Sequence, residues 1–420
     1  MGGDIEPPPA APSPGPATPE PPRPGSRVLA AAGLQSLIDA LSGRGYTVIG
    51  PTVRDGAVML GPVRSVTDLP GGWSDEQDAA HYRLNRSDSP ALFGFAAAAQ
   101  SWKSILFPPR ELLWSGEQTP AGFTADPPGP PPRYALLGVR SCDLHALAIH
   151  DQVLLGRPSA DAAYAACRRD AFIIAVACGN PGGTCFCVSM GTGPGPESGY
   201  DLALTELAGA PAGAAAGNGH GHRFVATPGS ARGADLLGGL PAQPAGRADL
   251  DAAGAVVREA AARMGRGLDT TGLRDLLYER AEDPHWDDVA ARCLACTNCT
   301  LVCPTCFCTS TEDVTELTGH RTERHRVWDS CFTSEFSRLA GGSVRGSTKS
   351  RYRQWMTHKL ASWIDQFGTS GCVGCGRCIT WCPAAIDITA EAAALRAPGP
   401  AREQPRDAGM VPPPAGEGSP

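Results

Sequence analysis

Aromatic residues make up only 6% of the 420 positions, charged residues 19%, and the balance is acidic, with a formal net charge of -7. Such a chain has no general attraction for a phosphate backbone, which excludes nucleic acid as the expected partner. No stretch reaches the roughly eighteen continuous apolar residues that cross a membrane. The start, MGGDIEPPP, lacks a basic region leading into an apolar segment, so a cytoplasmic chain without a transmembrane segment is expected. No complete dinucleotide fingerprint appears. MGTGPGPESG, residues 190–199, is rich in glycine, but its prolines and the missing strand-to-helix continuation suit a packed loop instead. Neither a Ser-His-Asp arrangement nor a pair of carboxylates with legible geometry is present, so no catalytic residue is assigned.

What the sequence does hold is cysteine. Sixteen in a chain this long are too sparse for a small disulfide scaffold, and their crowding points to metal ligation in a reducing compartment. Length suggests two folded domains. Residues 1–26 and 396–420, made of Pro, Ala, Gly and charge, are expected to be disordered tails. Between them the expectation is an α/β front domain over 27–260 and a rear domain over 265–395, with the break near Arg266. Much of 190–246 is rich in Gly, Ala and Pro and reads as an insertion or surface loops, interrupted by HRFVATPG as a short strand.

The rear domain carries the strongest pattern. Cys293, Cys296, Cys299 and Cys303, followed by Pro304, have gaps of two, two and three residues, and Cys372, Cys375, Cys378 and Cys382, followed by Pro383, repeat them. Short gaps let a turning backbone aim three thiolates at one cubane, while the fourth cysteine is carried on to the neighbouring cluster. The expected ligand sets are therefore Cys293, Cys296, Cys299 and Cys382 for one [4Fe-4S] cluster, and Cys303, Cys372, Cys375 and Cys378 for a second. Zinc is the competing metal for a Cys-x-x-Cys pair; the third cysteine and the Cys-Pro ending favour iron and sulfide. Cys306 and Cys308 are left over as buried thiols or sulfur near the clusters, with alternative ligation or redox chemistry as the other readings; Cys331 reads as an internal thiol, and Trp381 as a shield against water. The material between the motifs is expected to be mainly helical. In RYRQWMTHKLASWIDQFG, Met356, Leu360, Trp363, Ile364 and Phe367 form one apolar face that ends at Gly368, with Lys349, Arg351, Arg353 and Lys359 on a positive side.

In the front domain, RYALLGVRSCDLHALAIHDQVLL reads as a strand through Val139, a turn at SCD and a helix. AFIIAVAC, residues 171–178, reads as a second buried strand. Cys142 and Cys178 then stand at equivalent carboxyl ends of an open sheet, where ligands gather. With Cys185 and Cys187 they form a candidate third [4Fe-4S] site; a cluster of structural thiols and another metal or redox role are the alternatives. Cys167 reads as core. WKSILFPPRELLW, residues 102–114, reads as a proline-broken segment with a short helix after it, at the module interface.

Taken together, GVRSCDLHAL, CGNPGGTCFCVSMGTGP, CLACTNCTLVCPTCFCTSTEDVT, WDSCFTSEF and GTSGCVGCGRCITWCPAAIDIT resemble one family. It is the beta-subunit family of soluble sulfhydrogenase-type [NiFe] hydrogenases, which also includes the corresponding electron-transfer component of anaerobic sulfite reductase. The resemblance covers about residues 103–390. It implies a noncatalytic iron-sulfur subunit with an α-helical ferredoxin-type dicluster domain. It also implies a relay between the small and large hydrogenase subunits and a flavin- and NAD(P)-binding diaphorase subunit. Sulfite reductase partners are the alternative, and a metal-stabilised interaction scaffold without electron flow is a third possibility from the residues themselves.

Overall fold

The computed structural model describes residues 25–156, 160–209 and 221–397. The two tails fall almost wholly outside those residues, as does the run 210–220 of the Gly/Ala-rich stretch.

The front region is built on an eight-stranded mixed sheet. Leu202–Leu207, Phe172–Val176, Tyr134–Val139 and Thr47–Arg54 lie side by side and parallel. Ala57–Pro62 closes one side antiparallel, and Arg223–Pro228, Arg27–Ala30 and Ala242–Pro244 extend the other. FIIAV is buried at every residue, as a central strand covered on both faces requires. Helix Ser141–Leu154 follows Tyr134–Val139 directly. Because Tyr134–Val139 and Phe172–Val176 are parallel neighbours, Cys142 and Cys178 leave the sheet at the same edge.

The stretch read as an insertion or loops is largely structural instead. Its described residues supply the strands Leu202–Leu207, Arg223–Pro228 and Ala242–Pro244 and the helix Ala231–Gly238, and Leu202, Leu204, Phe224 and Ala226 are fully buried. Small residues there serve close approach between elements: a Cβ on Gly233 meets the Asp201 carbonyl oxygen at 1.7 Å.

Behind the sheet lies a helical region. Helices Leu273–Glu279, His285–Arg292, Thr348–Thr357, Trp363–Phe367 and Ile388–Arg396 surround a core containing Trp286, Met356, Leu360 and Ile379. The expected apolar face holds: Met356, Leu360 and Trp363 are buried, and Gly368, at φ 70°, ends the helix. The expectation of mainly helical material between the motifs holds only for its second half. Thr309–Thr315 and Arg321–Trp328 form an antiparallel hairpin. Arg110–Thr119 pairs with it and with Gly122–Asp126, giving a four-stranded sheet across the two regions. RELLW therefore lies in a strand where a short helix was expected, because the hairpin offers its backbone a pairing edge.

The junction near Arg266 is anchored. The Arg266 N–H donates to the Cys185 carbonyl at 3.0 Å, and its guanidinium bonds Asp387 at 2.7 Å and Asp78 at 2.5 Å.

Candidate metal centres

The two rear motifs fold into matching loops. In the first, Ala295 and Thr297 have φ of 50° and 70°; at the equivalent positions of the second, Gly374 and Gly376 have 63° and 73°. Each loop turns an amide back on its first cysteine: the Ala295 N–H donates to Cys293 Sγ at 3.4 Å and the Gly374 N–H to Cys372 Sγ at 3.5 Å. Each then enters a one-turn helix, Asn298–Leu301 or Arg377–Thr380. In the first loop Ala295 and Thr297 are half-buried at the wall of a cleft. In the second, a Cβ on Gly374 meets the Cys187 Cα at 2.7 Å, and one on Gly376 the Thr184 carbonyl oxygen at 2.5 Å. The repeated phrase TCFC thus sits directly on the second motif, and the Phe186 N–H donates to the Gly374 carbonyl at 2.8 Å. Gly374→Ala is accordingly expected to cost about 2 kcal/mol or more, from the left-handed backbone and the overlap. Ala295→Gly should change stability by less than about 1 kcal/mol; anaerobic urea denaturation of the two variants checks the contrast.

The predicted residues fall into three groups. Cys293, Cys296, Cys299 and Cys382 line a cleft partly open to solvent, with Cys378 on its wall. Cys296 is exposed and Leu294 beside it is 68% exposed, so this group lies nearest the surface. Cys303, Cys372, Cys375 and Cys378 lie within electrostatic reach of one another. Cys142, Cys178, Cys185 and Cys187 line a second pocket, and Gly374 and Cys375 form part of its wall. Cys167 lies in the sheet core. Trp381 stacks on Tyr82 of the front region, with ring centroids 5.1 Å apart.

These surroundings suit a group of several atoms carrying negative charge. Among the described residues no three His, Cys, Asp or Glu side chains converge as a single ion requires. A cubane instead keeps its ligand sulfurs apart, with inorganic sulfides that accept hydrogen bonds. Donors stand ready: the Tyr352 hydroxyl and the Trp355 indole N–H at the first cleft, and Arg140 Nε at the third site, are buried without partners. Burial pushes the thiols of Cys142 and Cys185 well above their ordinary value and that of Cys187 up to about 12. Burial thus favours the protonated thiols, and a metal bound there would have to displace those protons.

Lys359 distinguishes the second group. Its ammonium lies 3.1 Å from Cys303 Sγ and 3.0 Å from Thr305 Oγ1, with the residue only 4% exposed. Burial alone lowers its pKa, but Cys303, Cys306 and Cys372 outweigh that and hold the ammonium well above its usual range. A π-helical turn, His358–Ser362, places it, and the displaced Lys359 carbonyl accepts instead from the Gly371 N–H at 2.8 Å and Ser370 Oγ at 3.1 Å. Lys349 and Arg353 of the same positive side pair with Asp287 and Glu282. Arg351 donates to the Arg345 and Gly346 carbonyls.

Sequence reasoning missed the clamp between the regions. Arg377, inside CGRC, is 1% exposed and forms a two-pronged ion pair at 3.0 and 3.1 Å with Asp143, inside SCD and 2% exposed. Its Nε donates to the Ala98 carbonyl at 2.8 Å. The available signal was a charged residue beside a candidate ligand in each motif. Lys103, also buried, donates to the Leu301 carbonyl at 3.3 Å and lies over the Trp328 ring.

Residues 292–386 match the family described as 4Fe-4S dicluster domain. The chain is 34% identical over 258 residues to sulfhydrogenase 2 subunit beta of Pyrococcus furiosus, an alignment covering 61% of this chain and 72% of that protein. No solved structure matches. With that relative and the dicluster domain in place, the chain belongs to the family of sulfhydrogenase beta subunits and is an iron-sulfur electron-transfer protein of that type.

Proposed function

We propose that this chain relays single electrons through three [4Fe-4S] clusters in a row. Cys293, Cys296, Cys299 and Cys382 hold the first. Cys303, Cys372, Cys375 and Cys378 hold the second, and Cys142, Cys178, Cys185 and Cys187 the third. One observation carries the order: Cys378 of the middle group borders the first cleft, and Cys375 of the same group lines the third cavity. The clusters supply the change of oxidation state. The chain supplies position, charge and exclusion of water. The partners in this reading are a [NiFe] hydrogenase module and a flavin- and NAD(P)-binding diaphorase subunit, because the similar Pyrococcus protein is named a sulfhydrogenase subunit. Residues 27–260 and 265–395 are the two units, joined along the TCFC contact. No helix among the described residues is long and apolar enough to cross a membrane. The cysteines, free of disulfides, suit the cytoplasm.

The test is kinetic. Mixed anaerobically with NAD(P)H and the flavoprotein subunit, the loaded chain should be reduced within the turnover time of the complex and reoxidised when the hydrogenase subunits are added. Clusters that stay oxidised throughout would leave only a scaffold role. Lys359 gives a second check. A buried positive charge donating to a ligand sulfur favours the more negative, reduced state. Lys359→Met is therefore expected to lower the reduction potential of one cluster and leave the iron content unchanged. Redox-poised EPR reads this; an unchanged potential removes Lys359 from the tuning role.

A further inference from the structure

One face of the helix Thr348–Thr357 lies against the first cleft. Tyr352 and Trp355, three residues apart and so neighbours on that face, line it together with Cys293, Cys296, Cys299 and Cys382. They are 2% and 4% exposed, and each carries a hydrogen-bond donor, the Tyr352 hydroxyl and the Trp355 indole N–H, that has no partner among the described residues. A buried donor left unbonded costs about 1–3 kcal/mol, a cost that phenylalanine at position 352 would avoid. The same core satisfies its other indole at this contact: Trp286, with its ring centroid 6.3 Å from that of Tyr352, donates to the Arg280 carbonyl at 2.8 Å. The two rings are held in place. Their centroids are 5.4 Å apart, and both pack against Phe332, at 6.2 and 6.0 Å. The Glu391 carboxylate, whose charge reaches Tyr352, is already bonded on one oxygen by His285 at 2.6 Å and on the other by Arg292 at 2.7 Å. Burial, and then the charges of Glu391, Cys299, Cys378 and Cys293, push the Tyr352 hydroxyl well above its ordinary value, so it stays a donor. The acceptor left to it is sulfur in the cleft.

We propose that Tyr352 and Trp355 are positioning residues of the first [4Fe-4S] cluster: the hydroxyl and the indole N–H donate to its sulfur atoms, sulfide or thiolate, and raise its reduction potential. The proposal rests on the cluster assignment above and adds what tunes the member nearest the surface. The sign follows from charge. Reduction adds one negative charge, which spreads over the sulfurs, so a donor to sulfur stabilises the reduced state more than the oxidised one. The apolar wall supplied by Phe332, Ile386 and Ile388 acts the other way, because it disfavours the added charge. Two neutral donors offset that wall without placing another charge in the core.

Tyr352→Phe removes the hydroxyl and keeps the ring; Trp355→Phe removes the indole N–H. Both variants and the native chain, full length and loaded anaerobically, are titrated by redox-poised EPR, with iron and acid-labile sulfide measured on the same samples. In each variant one cluster should titrate at a lower potential. At the potential where that cluster is half reduced in the native chain, its ratio of reduced to oxidised form should fall several-fold, a tenfold fall being about 59 mV for one electron. The shifted signal should be the one that a water-soluble dysprosium chelate relaxes most, because the first group lies nearest the surface. Iron content should match the native chain. An unchanged potential in either variant at full iron, or a shift confined to a signal the chelate does not reach, overturns the proposal. Loss of iron from Tyr352→Phe overturns it too, by making the hydroxyl a requirement for assembly instead of a donor that tunes a potential. Zinc without labile sulfide in the native chain would overturn the cluster assignment and this proposal with it, so the two failures are distinguishable.

Discussion

A chain carrying Cys185→Ser and Cys187→Ser together is expected to keep about eight irons of the roughly twelve that three cubanes hold. The loss should be selective, because the two thiols line only the third cavity, while the two rear groups draw their sulfurs from other loops. Folding should survive: serine is close to cysteine in size, and the TCFC backbone keeps its bond from the Phe186 N–H to the Gly374 carbonyl. Iron analysis, acid-labile sulfide and circular dichroism on the same anaerobic sample check this. Equal iron in the variant and the native chain would return Cys142, Cys178, Cys185 and Cys187 to the role of structural thiols.

Replacing Arg377 by Met is expected to destabilise the fold by about 3–5 kcal/mol, because it strands the Asp143 carboxylate without its partner in a buried position. The pair itself contributes less than that, since both charges gave up water to form it. Adding Asp143→Asn to Arg377→Met should therefore recover a substantial part of the loss. Anaerobic denaturant titration of the two variants and the native chain reads both numbers. A single variant as stable as the native chain, or a double variant no better than the single, would contradict the clamp.

Much of the candidate site was legible because the chemistry is local. Gaps of two, two and three residues require a tight loop whatever surrounds it, and the structure brings Cys382 to the first motif and Cys303 to the second. The meeting of Cys142 with Cys178, Cys185 and Cys187 followed from two buried strands ending at one sheet edge, which their apolar runs marked. The hairpin did not announce itself. TSTEDVTELTGHRTERHRVW is polar on both faces, so apolar alternation is nearly absent, and the strand it pairs with, Arg110–Thr119, lies about 200 positions earlier. LALTEL was hidden in a different way, by flanks of Gly, Ala and Pro that suggested loops while its own leucines entered the core. Arg377 and Asp143 were both in view, but a partnership across 234 positions leaves no periodic trace. The glycines of CVGCGRC fit close backbone wrapping around a bulky cluster. Their more specific reason is the TCFC backbone lying against them, which also answers why that phrase occurs twice: Thr184 and Thr305 are both fully buried, Thr184 bonded to Thr380 at 2.7 Å and Thr305 to the Gly371 carbonyl at 2.7 Å. Each copy fixes its loop against the second cysteine motif.

The most direct measurement is the content of iron and acid-labile sulfide per chain in an anaerobic preparation, taken with the EPR spectrum after reduction. Three cubanes on one chain predict about twelve of each, with signals from reduced [4Fe-4S] clusters. Stoichiometric zinc with no labile sulfide would contradict an electron relay altogether, and about eight irons that do not change when Cys185 and Cys187 are replaced would contradict the third cluster.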